Sequence, residues 1–216
     1  MTLIGLNSWL IPVKAQQLGE WVSLKLKVDL PHGLSGVLTQ DVRTVHPGLQ
    51  INQLLTDFEL GYKINKRLDI AVNYRYSRKR EDHHYLYPRN RWYFDFKYDN
   101  KLNRLDTDYR VRFQRQTKTY IEDADDKIPV YYLRNRIKIA YNLPNNKKEP
   151  YVTYEIYCPV NKTEPRFLDA HRITAGIDIP INKKNEIDVG LMYKREYLPV
   201  YASFINLLLT YSFDLN

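Results

Sequence analysis

By type and spacing, Arg110, Arg112, Arg134, Arg136 and Lys138 are the residues of this chain best suited to do chemistry. Alternate positions of an extended segment point to the same side. Arg110 and Arg112 therefore share one side of a segment, and Arg134, Arg136 and Lys138 share one side of the next. Few acids accompany them on those two segments. Such a wall of cations would favour anions, as charged rings do in selective pores. The competing reading is structural: the same cations paired with acids from other segments, because an unpaired buried charge costs several kcal/mol.

Other chemistries have weaker support. There are five histidines. His32 and His46 sit beside Pro or Gly and read as turn residues. His83 and His84, flanked by Glu81 and Asp82, are adjacent loop residues and make poor joint metal ligands without a third. His171 and Ser203 share the parity of apolar neighbours Ile173 and Ile205, as a hydrolase acting on lipids would require. A whole segment separates them, however, and two interstrand spacings come to ~10 Å, beyond hydrogen-bond reach. Phosphate-binding Gly loops, carboxylate dyads and dinucleotide fingerprints do not occur. The expectation is no catalysis, no cofactor and no metal.

The elements that must position the basic residues have the period of β-strands. Trp92, Phe94, Phe96 and Tyr98 alternate with Arg91, Asp95, Lys97 and Asp99. After a polar turn at Asn100 and Lys101, Tyr109, Val111 and Phe113 alternate with Asp108, Arg110, Arg112 and Gln114. This is a hairpin with one large apolar face and one fully charged face. The same pattern recurs along the chain: Val22, Leu24, Leu26 against Ser23, Lys25, Lys27; Phe58, Leu60, Tyr62 against Asp57, Glu59, Lys63; Ile70, Val72, Tyr74 against Asp69, Arg75; Ile137, Ile139 against Arg136, Lys138; Val152, Tyr154, Ile156 against Glu155; Ile173, Ile177 against Arg172, Asp178; Ile187, Val189, Leu191 against Asp188, Lys194. A final segment carries Ile205, Leu207, Leu209, Tyr211 and Phe213.

About eleven such segments of ~9 to 12 residues can be counted, long enough to cross a membrane when tilted. Connections alternate between short, near 32, 65, 100, 145 and 182, and longer, near 47, 84, 123, 162 and 199. Polar loops are expected at about Arg78 to Asn90 and Thr117 to Pro129, the second acidic through Glu122, Asp123, Asp125 and Asp126. Short turns on one rim and long loops on the other are the layout of an outer-membrane barrel, with apolar residues toward lipid and charge toward the lumen. Aromatics near strand ends suit an interfacial girdle. The fold expected is all-β: a closed antiparallel up-and-down transmembrane β-barrel of 10 to 12 strands. Single-chain bacterial barrels have even counts, so eleven segments imply one missed or split strand, or closure by the N-terminal segment.

Composition bounds the rest. The chain has 216 residues, 19 of them Tyr, with 27% charged residues and a net charge of +8; mean hydropathy is −0.55. A barrel accommodates that polar average, because lumen and turns dilute the lipid face. Basic residues are spread over many strands and turns, which speaks against nucleic acid as the partner. Cys158 stands alone, excluding an internal disulfide. Leu3 to Val13 is mostly apolar and Val13-Lys14-Ala15 has the spacing of a signal-peptidase site. Residues 1–15 are thus expected to be a signal peptide, truncated if its basic start lies upstream, with the barrel over 16–216; the competing reading is an apolar arm packed on the domain.

Gly19-Glu20-Trp21, Gln40-Asp41-Val42-Arg43, Thr56-Asp57-Phe58-Glu59-Leu60-Gly61-Tyr62 and Tyr74-Arg75-Tyr76 together resemble an uncharacterised bacterial family, domain of unknown function 2490, common in Bacteroidetes. The resemblance covers about residues 18 to 214. It implies an outer-membrane β-barrel and brings no activity. The functional expectation is therefore a structural or surface-interaction barrel of the bacterial outer membrane, or a narrow anion-preferring pore, with outer-membrane lipid or lipopolysaccharide and small anions as partners. The alternatives are a soluble lipocalin-like barrel, with the apolar face turned inward around a ligand, and the lipid hydrolase just described.

Overall fold

The computed structural model describes residues 17–47, 49–80, 85–118, 129–144, 146–161, 167–197 and 201–216. The expected signal peptide, the His83–His84 pair and the acidic residues Glu122, Asp123, Asp125 and Asp126 lie outside the described residues. Eleven strands follow one another: β1 (Gln17–Asp29), β2 (Leu34–Val45), β3 (Gln50–Lys63), β4 (Leu68–Arg80), β5 (Leu86–Leu102), β6 (Leu105–Lys118), β7 (Val130–Tyr141), β8 (Glu149–Pro159), β9 (Ala170–Pro180), β10 (Asn185–Glu196) and β11 (Ala202–Asp214). Each strand pairs antiparallel with its sequence neighbour, and the sheet closes into a barrel.

Closure resolves the strand count. A meander reverses direction at every turn, so its first and last strands run parallel when the count is odd. β1 and β11 pair parallel from Gln17 opposite Phe204 to Lys27 opposite Asp214. Among the described residues no strand is missing or split; the expectation of an even count gives way to a parallel seam. The seam satisfies the backbone groups of both edges, which is the requirement that closure serves.

Loop sorting is weaker than the sequence implied. Residues 46–49 form a connection as short as residues 64–67 on the opposite rim, whereas residues 142–148 make a longer one there. The polar stretch expected as a loop at about Arg78 to Asn90 is mostly strand: β4 and β5 stay paired through Arg78 opposite Pro88 and Arg80 opposite Leu86. A ladder persists wherever a partner supplies hydrogen bonds, whether or not its side chains still alternate in polarity.

Parity decides the faces. Large apolar side chains point outward on all strands; Val22, Leu38, Phe58, Val72, Phe94, Phe113, Ile137, Val152, Ile173, Leu191 and Leu207 give one exposed example from each. The charged parity points inward, where Asp95 and Glu155 have 0% exposure. A lipocalin-like interior would need the opposite arrangement. Apolar exceptions inside include Leu55 and Met192, both almost fully buried, and Val37 and Leu208, which line the lumen cavity.

Candidate functional site

All five basic residues singled out in the sequence point into the lumen, on β6 and β7. Arg110 stands directly opposite Arg136, and Arg112 directly opposite Arg134. Like charges in direct cross-strand pairs repel, so the arrangement needs counter-charges. All but one arrive from strands other than β6 and β7. Arg112 donates through Nε and Nη2 to the two oxygens of Asp95 on β5, both at 2.6 Å. Lys138 reaches past β8 to Asp178 on β9 at 2.7 Å. Arg136 pairs with Asp108 on β6.

Glu155 on β8 is the hub. Arg110 Nη2 lies 2.7 Å from its Oε1, and Arg134 Nη2 lies 3.0 Å from both of its oxygens. Arg172 on β9 completes the group at 2.6 Å. One carboxylate thus joins cations from three strands. The premise that few acids accompany the basic cluster holds along β6 and β7 alone and fails in the closed barrel.

A second group sits beside the first. Arg75 Nε donates to Asp57 Oδ2 at 2.6 Å, and the Tyr93 hydroxyl donates to the same oxygen. The Tyr93 ring also carries the Arg112 guanidinium on its face, 3.8 Å from the centroid. Tyr157 does the same for Arg134 at 4.3 Å, and Trp21 for Arg43 at 3.7 Å. These inward aromatics share the parity of the charged residues, the one sequence signal that could have selected them. Tyr151 finds room because Gly176 has no side chain: a Cβ there would lie 2.6 Å from the tyrosine hydroxyl.

A cavity of about 540 Å³ remains, lined by Lys25, Arg43, Arg110, Arg134, Arg136 and Asp188 among others. In four of these residues, Arg43, Arg110, Arg134 and Arg136, the buried Nε has no hydrogen-bond partner among the described residues. Toward the rim carrying residues 64–67 and 181–184, acids replace arginines: Asp99 stands opposite Asp108, and Asp178 opposite Asp188.

Outside the barrel, His171 and Ser203 both stand opposite Arg195 in register, one strand on each side. Each is engaged elsewhere. His171 Nδ1 lies 2.9 Å from the Tyr197 hydroxyl, and Ser203 Oγ lies 3.3 Å from the Tyr193 hydroxyl. His46 contacts Glu20 at 2.7 Å, and His32 occupies a turn with φ of 62°. Among the described residues, no group of three or more His, Cys, Asp or Glu is arranged to hold a metal ion.

No curated protein matches the chain. Residues 18–201 match the model of a family described as protein of unknown function (DUF2490). With most of its length in that match and a closed barrel from end to end, the chain belongs to the DUF2490 family.

Proposed function

We propose that the chain is an integral β-barrel of the bacterial outer membrane whose lumen is closed by its own ion pairs, acting as a structural or surface-interaction protein without catalysis. One observation carries this reading: exposed apolar side chains surround the barrel on every strand while charge fills its interior. In water that arrangement would expose far more apolar surface than monomeric proteins tolerate; in a bilayer it is the favourable one. Tyr62, Tyr98, Tyr141 and Tyr211 lie near the strand ends at one rim and Tyr76, Tyr131 and Tyr193 near the other, where amphipathic rings sit at a membrane interface. Lipid and lipopolysaccharide are the partners that follow. Cell fractionation with heat-dependent gel mobility tests the proposal. Recovery in the membrane fraction as a faster-running folded band supports it; recovery in the soluble fraction ends it.

The second reading is a narrow anion-preferring path through Arg110, Arg112, Arg134, Arg136 and Lys138. The cavity that these five cations line favours it. Single-channel recording with Arg112→Gln and Arg136→Gln tests it: a wild-type current whose anion preference falls in the variants supports a pore, and electrical silence removes it.

A further inference from the structure

Three of the five turns of one rim share a sequence feature. Residues 64–67, 142–148 and 181–184 each contain an asparagine followed by two cations: Asn65-Lys66-Arg67, Asn146-Lys147-Lys148 and Asn182-Lys183-Lys184. In all three the asparagine side chain accepts the backbone N–H two residues on, at 2.8 Å from Arg67, 3.0 Å from Lys148 and 2.8 Å from Lys184. This is the local turn that asparagine makes with its own backbone. It fixes the turn and leaves the cations exposed. Arg104 adds another in residues 103–104, and the five connections of this rim contain no acid. Lys101 is tied to Asp106 at 3.0 Å, but among the described residues none of the seven turn cations is in an ion pair.

The acids near this rim are placed otherwise. Asp69, Asp99, Glu186 and Asp214 are on strands and share the inward parity of Lys97, Asp188 and Ser212. Cations therefore crown the rim while carboxylates line the mouth inside it. The opposite rim has the reverse balance in sequence: its connections contain Glu81, Asp82, Glu122, Asp123, Asp125, Asp126, Glu164 and Asp169 against Lys127, Lys162 and Arg166.

We propose that this basic crown binds the phosphates of anionic phospholipids in the leaflet that the short turns face, anchoring that end of the barrel. The inference rests on the membrane reading above. Phosphate is the matching chemistry: the cations lie just beyond Tyr62, Tyr98, Tyr141 and Tyr211, at headgroup depth if the apolar band spans the bilayer. Basic residues close to an anionic surface are attracted to it within a Debye length. Exposed lysines without partners suit mobile headgroups better than a fixed protein surface.

The test uses the full barrel refolded into phosphatidylcholine vesicles containing spin-labelled phosphatidylglycerol or spin-labelled phosphatidylcholine, with relative association at the protein surface as the readout. A six-site variant converts Lys66, Arg67, Lys147, Lys148, Lys183 and Lys184 to Gln and keeps the three turn asparagines, so folding is preserved. The expected result is a several-fold preference of the wild type for phosphatidylglycerol that falls as salt rises and drops to near unity in the variant. An inserted, heat-modifiable barrel with equal association of both lipids, or a variant that keeps the preference, overturns the crown and leaves the membrane reading standing; an acidic polypeptide would then be the partner to test. A chain that does not insert overturns both.

Discussion

Arg112 and Asp95 face each other across β5 and β6 and form two parallel hydrogen bonds of 2.6 Å, with Asp95 completely buried. A fork of this kind is the strongest ion-pair geometry available to arginine, and desolvation makes either partner costly to leave alone. Asp95→Asn is expected to destabilise the barrel by about 3–5 kcal/mol, whereas Asp95→Leu combined with Arg112→Met recovers most of that loss. Denaturant unfolding of the barrel refolded in detergent micelles measures both. A small effect of the single substitution would mean that the pair is hydrated.

Glu155 should matter more to the lumen than to any one strand. It holds Arg110, Arg134 and Arg172 together, so Glu155→Gln leaves mutually repelling cations around the cavity. On the proposed closed-lumen reading, the variant is expected to admit anions, read as new anion-selective events in planar bilayers. Silent recordings from a folded variant would show that closure does not depend on this hub.

Leu191 projects outward from the middle of β10 with 57% exposure. In a bilayer, Leu191→Arg is expected to cost about 2–4 kcal/mol. On a barrel surrounded by water the same change would stay within about 0.5 kcal/mol. Comparing unfolding midpoints of wild type and variant in lipid vesicles separates the two, independently of cell fractionation.

Val22 on β1 and Leu209 on β11 are direct partners across the parallel seam. In a Cys158→Ser background, Val22→Cys with Leu209→Cys is expected to form a disulfide on mild oxidation, seen as a gel-mobility shift. Val22→Cys with Ile205→Cys, four residues out of register, should stay reduced, because ~13 Å exceeds disulfide reach. The opposite outcome would remove the eleven-strand closure.

Much of this architecture was legible in the sequence because β-sheet side chains alternate with a fixed period. Runs such as Trp92, Phe94, Phe96 and Tyr98 against Arg91, Asp95 and Lys97 define strands, faces and the all-β barrel without reference to any partner. Strand ends were less legible. Arg78 to Asn90 reads as a loop by polarity, yet β4 and β5 remain paired across most of it, because pairing depends on the neighbouring backbone and not on side-chain composition.

The sequence by itself determined the strands, their alternating faces, and the cation pairs that follow Asn65, Asn146 and Asn182, all of which are set by residues close in the chain. Only the tertiary structure decided three things: that β1 meets β11 in parallel, that charge faces inward, and that Arg110 and Arg134 meet at Glu155, 45 and 21 residues away. Alternation says which side chains share a face but not which face closes inward. Nor does it say which charges converge once a sheet curls on itself, because that depends on register and curvature summed over every strand.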